Sequence, residues 1–313
     1  MKPLSLVPVK PNLDFINKRL VFFIFSLLLI CSSIGLYGVK DLNYGIDFRG
    51  GILIEVRVDN ATSLEDVRSK LTDLGLGEVS LQEFGNPYDI LIRIQKQDGG
   101  EKAQQVAINK VKTELGSEVS YRRTEFVGPK ISEELFRDGV IAVILAIVGI
   151  LIYIWFRFEW QFGVGAIIAL THDVLSTIGI FALTGIEFNL STVAAILTIA
   201  GYSINDTVVV FDRVRENLRK YKTLSLVELL NNSINETLSR TVMTSITTLI
   251  ALMSLYLLGG EVIRGFSFAM IWGVLIGTYS SICLAVPLLV YLNINRGVAA
   301  GSNKDGGRNV KGV

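Results

Sequence analysis

Six long apolar runs and one mixed, charge-bearing stretch divide this chain. The runs are Leu20–Val39, Gly139–Phe156, Phe162–Ile186, Phe188–Phe211, Thr241–Gly260 and Gly265–Leu292. Each is near or above the roughly 20 residues that a helix needs to cross a bilayer. The last contains Pro287, which predicts a tilt or a kink. Between the first two runs, from Asp41 to about Lys130, the periodicity changes. Ile52–Val58 (ILIEVRV) alternates from Glu55 onward and reads as a strand. Ser63-Leu64-Glu65-Asp66 has the form of a helix start, with Leu64, Val67 and Leu71 on its inner face. Glu78–Phe84 and Asp89–Gln95 read as strands joined through a turn at Asn86-Pro87. Glu101–Leu115 reads as a second amphipathic helix, its inner edge bracketed by Ala103, Val106, Lys110 and Val111, and Val119–Val127 as a fourth strand.

The order strand, helix, strand, strand, helix, strand is the split βαβ pattern of ferredoxin-like domains. The fold class is therefore an α-helical membrane protein: six transmembrane helices with one ferredoxin-like α+β domain (βαββαβ) between helices 1 and 2. The expected divisions are an N-terminal segment over 1–19, helix 1 over 20–39, the exported domain and linker over 40–138, helices 2–6 over 139–296 with a loop at 212–240, and a disordered tail over 297–313. Within that loop, Val227, Leu230, Ile234 and Leu238 recur at helical spacing across Thr223–Ser239, which predicts an interfacial helix.

Composition sharpens this reading. Half the residues are hydrophobic and mean hydropathy is +0.48, too apolar for an ordinary soluble domain. The net charge of +1 offers no global basic field for nucleic acid. Lysine and arginine cluster at Lys2, Lys10, Lys18 and Arg19, at Arg213, Arg215, Arg219, Lys220 and Lys222, and at Arg296, Lys304, Arg308 and Lys311. The connection at Ile186–Phe188 has none and that at Gly259–Arg264 has one. By the positive-inside rule both termini are cytoplasmic and the mixed stretch lies on the far side. The first run lacks an A-x-A-like cleavage site, and Ile30 is too large for a lipoprotein box ending at Cys31, so it is an uncleaved helix. Cys31 and Cys283 sit in apolar runs and read as packing residues. With one histidine in the chain, neither a disulfide framework nor a metal site is expected, and no cofactor is implied. There is no P-loop, dinucleotide fingerprint or nucleophile triad, so the chain is not expected to be an enzyme.

The chemistry-bearing stretch is Gly201–Arg215 (GYSINDTVVVFDRVR), which sets Asp206 inside the fourth run. A charge in hydrocarbon costs several kcal/mol unless it is paired or neutralised, and it usually marks an ion or proton pathway. Ser203, Asp206, Thr207 and Val210 share one helix face, with Thr198, Tyr202 and Asn205 beside it. Asp206 lies about five residues inside the cytoplasmic end, roughly 7–8 Å at 1.5 Å per residue. Burial and a nearby cation act on a carboxyl in opposite senses, so its proton occupancy can switch with conformation. The alternative is an acid that bonds a neighbouring helix's hydroxyl. Arg240 opens the fifth run at a similar depth. By itself it reads as an interfacial arginine that snorkels. His172 and Asp173 lie near the middle of the third run, with Ser176 and Thr177 one turn on; a local hydrogen-bonded network and proton handling both fit. Gly273 and Gly277 form a G-x-x-x-G face on the sixth run, a helix-packing signal.

Several motifs together resemble the SecD/SecF family of bacterial protein export. Gly45-Ile46-Asp47-Phe48-Arg49-Gly50-Gly51 is similar to the signature that follows the family's first helix. LTHDV (Leu170–Val174), SINDTVVVFDR within Gly201–Arg215, NETLSRTVMTS (Asn235–Ser245) and Gly260–Leu284 resemble its SecF branch, in the same order. The resemblance implies a subunit that pairs with SecD into a twelve-helix unit similar to resistance-nodulation-division transporters. That unit would work beside the SecYEG channel and the SecA motor, using the proton-motive force to draw preproteins outward. It implies a multi-pass protein of the inner or plasma membrane, or of a thylakoid membrane. It also implies proton-transport roles for Asp206 and Arg240, makes Gly45, Asp47, Gly50, Gly51 and Asn205 motif residues, and leaves His172 without a clear role. The partners so implied are SecD, SecYEG, SecA, the translocating preprotein and membrane lipid, with no nucleic acid. Two other readings share the helix plan: half of a proton-driven small-molecule exporter, and a structural anchor of a membrane complex.

Overall fold

The computed structural model describes residues 11–58, 64–84, 86–116, 119–292 and 294. The expected helix start at Ser63, the basic Lys2 and Lys10, and the tail from Gly297 lie outside these residues. Six helices are long and apolar enough to cross a membrane: Arg19–Lys40, Pro129–Arg157, Trp160–Thr184, Leu190–Lys220, Leu226–Leu258 and Val262–Leu288. The first five are α1, α5, α6, α7 and α8 of the chain order; the sixth is composite.

The sixth span is α9 (Glu261–Ser280), a π turn (Ser281–Ala285) and the short α10 (Val286–Leu288). Pro287 has no N–H to donate into the helix ladder, and the π turn immediately before it accommodates the break. The kink expected from Pro287 is thus realised as one widened turn.

α7 is the centre of the bundle. It packs against α5, α6, α8 and α9, while α1 lies along α6. The charged stretch read as a loop over 212–240 is helical except at its turn. α7 runs on to Lys220, and α8 begins at Leu226 behind a Ser225 cap whose side chain accepts from the Glu228 N–H. Of the positions that predicted an interfacial helix, Leu230, Ile234 and Leu238 are buried and Val227 is half-buried against the same cluster. They meet Val210, Phe211, Val214 and Leu218 of α7 in one buried cluster. The amphipathic period was real, but its apolar face is covered by the facing helix. α5 likewise starts at Pro129, ten residues before the apolar run, with proline in the first turn where its missing N–H is harmless.

The sheet domain consists of β1 (Gly51–Val58), α3 (Leu64–Thr72), β2 (Val79–Phe84), β3 (Asn86–Ile94), α4 (Gly100–Leu115) and β4 (Val119–Val127). Its antiparallel sheet has the order β2-β3-β1-β4, which is the ferredoxin-like arrangement. One face carries Ile52, Ile54, Val56, Ile90 and Ile92 against Val67, Leu71 and Val111 of the two helices. Each such burial contributes roughly 1.5–3 kcal/mol. Two local expectations change. β3 already begins at Asn86, paired with Phe84, so Asn86-Pro87 belongs to the strand and not to a turn. The inner face of α4 is Gln104, Ala107, Ile108, Val111 and Leu115, while Val106 is exposed. Choosing Ala103 and Val106 missed the longer stripe at i, i+3, i+4, i+7 and i+11.

The other sheet face, with Leu53, Leu91 and Val127, receives Ile46 of α2 (Ile46–Arg49). This face looks toward the α6–α7 connection, and the contacts there join domain to bundle.

Candidate functional site

On α7 the face Ser203, Asp206, Thr207 and Val210 points into the bundle; Asp206 is only 4% exposed. Phe211, one turn and a residue on, packs its ring 6.0 Å from Phe158 and 5.1 Å from Phe162 at the α5–α6 turn. Asp206 therefore stands about 7–8 Å above that turn at 1.5 Å per residue, although α7 itself continues past it. Asn205 lies on the outer flank and is exposed, as are Thr198 and Gly201.

Arg240 of α8 is the cation that acts on Asp206, but no ion pair within 4.0 Å joins them among the described residues. Asp206 Oδ2 is buried without a hydrogen-bond partner, and so is Thr241 Oγ1 beside Arg240. Arg240 is exposed, on the outer side of α8. An ionised carboxylate normally accepts several hydrogen bonds, and a buried, unpaired one is costly. The pair is thus close enough to interact and incompletely satisfied. Such a site can bind a proton or close on its cation.

Asp173 of α6 differs in every respect. It is fully buried, and its Oδ2 accepts from Ser203 Oγ at 2.6 Å and from Ser280 Oγ at 2.7 Å. Its Oδ1 is 3.0 Å from His172 Nδ1. One carboxylate oxygen therefore ties α6 to α7 and to the end of α9, just before the π turn. Ser176 and Thr177 donate to the Asp173 carbonyl, and Trp272 Nε1 donates to Ser176 Oγ at 3.3 Å. His172 lies against the Tyr279 ring, with Nε2 buried and unpartnered. Ser203 belongs to this network and sits one turn before Asp206 on the same face.

Gly273 and Gly277 bring α9 onto α7. A Cβ on Gly273 would collide with the Ile199 side chain, and one on Gly277 would lie 3.2 Å from the Ser203 Cβ. The close approach at Gly277 is what lets Ser203 and Ser280 reach the same oxygen. Sequence reasoning named Asp173, Ser203 and Gly277 separately and missed Ser280, Tyr279 and Trp272. Ser280 follows Gly273 and Gly277 at i+7 and i+3, so the glycine face itself held the signal.

The Gly45–Gly51 motif sits at the junction of sheet domain and bundle. Gly45 N–H donates to the Phe188 carbonyl at 2.9 Å, and Phe188 N–H to the Asn43 carbonyl at 2.8 Å. A side chain on Gly45 would enter the Glu187 carboxylate. Asp47 Oδ2 accepts from the Leu190 N–H at 2.9 Å, which fills one of the open donors at the start of α7. Gly50 and Gly51 both have positive φ, and a Cβ on Gly51 would stand 2.6 Å from the Ile94 carbonyl oxygen. Arg93 of β3 pairs with Glu187, and Tyr44, Phe48, Phe136 and Phe188 stack edge-on around the bridge. Burial holds the Glu187 carboxyl above its ordinary 4.5 despite the pull of Arg93. No group of three metal-ligating side chains occurs among the described residues.

Comparison with known proteins bears on this geometry. A family profile described as "Protein export membrane protein SecD/SecF, C-terminal" matches residues 107–295, and one described as "SecD/SecF GG Motif" matches residues 38–62. The "Protein translocase subunit SecF" of Rickettsia rickettsii is 46% identical over 94% of this chain and 96% of its own length. That of Cereibacter sphaeroides is 48% identical over 96% and 95%. The crystal structure of SecDF, a translocon-associated membrane protein from Thermus thermophilus, superposes with a TM-score of 0.82 at 38% identity over 92% of this chain. The chain spans 39% of that longer protein. SecDF in its super-membrane-facing form matches at 0.68 and 37% identity, over 93% of this chain and 40% of the other.

Proposed function

Because this multi-pass membrane chain belongs to the SecD/SecF family, on its SecF branch, we propose that it works with SecD in protein export. The unit uses the proton-motive force to assist preproteins that pass through SecYEG under the action of SecA. The chain carries no enzymatic step of its own. The observation that carries the proton reading is Asp206: a carboxylate buried in α7 with one oxygen unpartnered and Arg240 beyond ion-pair distance.

A proton on Asp206 removes its attraction for Arg240; loss of that proton restores it. Each state favours a different spacing of α7 and α8. One elementary charge crossing 100 mV supplies about 2.3 kcal/mol, enough to shift such an equilibrium about fiftyfold. α7 then transmits the change, because its N-terminus is bonded to Asp47 and its leading loop is paired with Gly45. The exported domain moves with it as a body. Asp173, held by Ser203 and Ser280, acts as the fixed node beside the moving acid, with His172 as its neighbour.

The membrane is the inner or plasma membrane, with a thylakoid membrane as the other setting, and both termini are cytoplasmic. Support comes from the basic residues Arg157, Arg213, Arg215 and Arg219, which gather at the bundle end opposite the sheet domain. The exposed stripe Ala194, Thr198, Gly201 and Asn205 on α7 suits close docking of a second six-helix half. The test is export of a secreted precursor into membrane vesicles under an imposed proton gradient. Asp206→Asn is expected to lose the gradient-dependent part while ATP-driven transport remains. Full gradient stimulation in that variant contradicts the proposal.

A further inference from the structure

At the bundle end opposite the sheet domain, α5 closes with the sequence Trp155-Phe156-Arg157 and turns through Phe158 and Glu159 into Trp160 of α6. A cavity of about 500 Å³ opens beside this turn, lined by Arg157, Asp212, Arg215, Glu216, Arg219 and Lys220. Four of its six lining side chains are cationic. Of the two acids, Glu216 is already held by Arg213 at 2.9 Å. Asp212 must serve both Arg157, at 2.9 Å, and Arg215, at 3.8 Å. Both guanidinium groups sit on the one Phe158 ring, at 5.1 and 5.3 Å. Arg215 Nε is buried with no acceptor. Two like charges converge here on one carboxylate within ion-pair distance, with Glu159 acting on Arg215 from farther off, and one guanidinium donor is spare and desolvated, an arrangement that fits an anion with several acceptor oxygens.

The surroundings identify which anion. Trp155 is 77%, Phe156 85% and Trp160 58% exposed at the same α5–α6 turn that supplies Arg157 to the cavity, although they lie at the ends of two apolar spans. Aromatic side chains so placed sit at the headgroup level of a bilayer, with acyl chains against the apolar helix faces. A phospholipid can use both the arginines and the apolar helix faces beside these rings, whereas a soluble phosphate uses the arginines alone. We propose that the Arg157–Arg215 cavity is a binding site for the phosphate of an anionic phospholipid, whose headgroup bridges α5 and α7 while its chains pack beside Trp155 and Trp160. The site is separate from Asp206 and stands whether or not that residue carries protons.

Tryptophan quenching by brominated lipid tests this. The chain has three tryptophans, and Trp272→Phe leaves Trp155 and Trp160 as reporters. The full-length variant is placed in vesicles of phosphatidylcholine and phosphatidylglycerol, with bromine on one lipid or the other. Phosphatidylglycerol is expected next to the reporters at roughly fivefold over its bulk share. Arg157→Gln with Arg215→Gln should return it to the bulk ratio. Lys18→Gln with Arg19→Gln removes the same charge outside the cavity and should leave the enrichment intact. No enrichment, or equal loss in both double variants, overturns the site in favour of a diffuse basic field. Displacement by millimolar inorganic phosphate overturns the lipid assignment in favour of a soluble anion. Should the glutamine pair fail to insert, Arg157→Lys with Arg215→Lys decides: reduced enrichment supports the forked contact, and undiminished enrichment overturns it. Native mass spectrometry of the otherwise unchanged chain repeats the comparison without Trp272→Phe, and retained phosphatidylglycerol must follow the same order.

Discussion

Two carboxylates in neighbouring helices show how environment separates roles. Both Asp173 oxygens lie within hydrogen-bond distance of a partner, with His172 Nε2 the orphaned atom of that network among the described residues, whereas Asp206 itself has an oxygen facing none. A satisfied buried network fixes geometry; an unsatisfied one is a site where something else must bind or move. Asp173→Ala would strand the hydroxyl of Ser203, at about 1–3 kcal/mol if it finds no new acceptor, while Ser280 keeps the Gly277 carbonyl at 3.1 Å. Thermal unfolding of the purified chain should show that loss, and a smaller one of about 1 kcal/mol for Ser280→Ala. Equal stability of Asp173→Ala and the parent would mean the network holds nothing together. At this scale the sequence was informative wherever a charge interrupted an apolar run. Asp206, His172 and Asp173 stood out for that reason. Ser280 did not, because a hydroxyl in a helix can always bond its own backbone and leaves no mark of a distant partner.

Among elements, the α7–α9 contact is set by glycine. Gly273→Val would drive a branched side chain into Ile199, and overpacking of this kind typically costs 1–3 kcal/mol. Its expected signature is lowered thermal stability with no change in the sheet domain's circular dichroism strand signal. In that domain, Arg57 grips Asp89 through two bonds of 2.7 and 2.6 Å, with Arg122 at 3.7 Å. The Arg57 guanidinium holds the Asp89 carboxyl below its ordinary 3.8. A depressed acid stabilises the fold at pH above its unfolded value, and that contribution fades as pH falls through the folded one. Hydrogen exchange of the β1 and β3 amides should therefore quicken as pH drops below about 4 once the intrinsic rate is removed. Asp89→Asn should be less stable at neutral pH and flatter in acid. The sequence revealed the number and kind of elements because apolar runs and strand alternation are local. It shortened α5, α7 and α8, because charged residues end an apolar run without ending a helix.

The whole molecule depends on a connection that no local pattern announces. The sheet domain meets the bundle through the five residues between α6 and α7, 185–189. Phe188 bridges Tyr44, Glu187 pairs with Arg93, and the first amide of α7 bonds Asp47. The Gly45–Gly51 motif was visible in the sequence, but its partner segment lies about 140 residues away in the chain. Only the assembled fold shows that the motif caps the same helix that carries Asp206. That single helix links a bundle-buried acid to the sheet domain. The direct test is proton flux through vesicles that contain this chain and its SecD partner under an imposed potential. The parent and Asp206→Glu are expected to conduct, and Asp206→Asn to fall to the level of protein-free vesicles. Undiminished flux through Asp206→Asn would contradict the account.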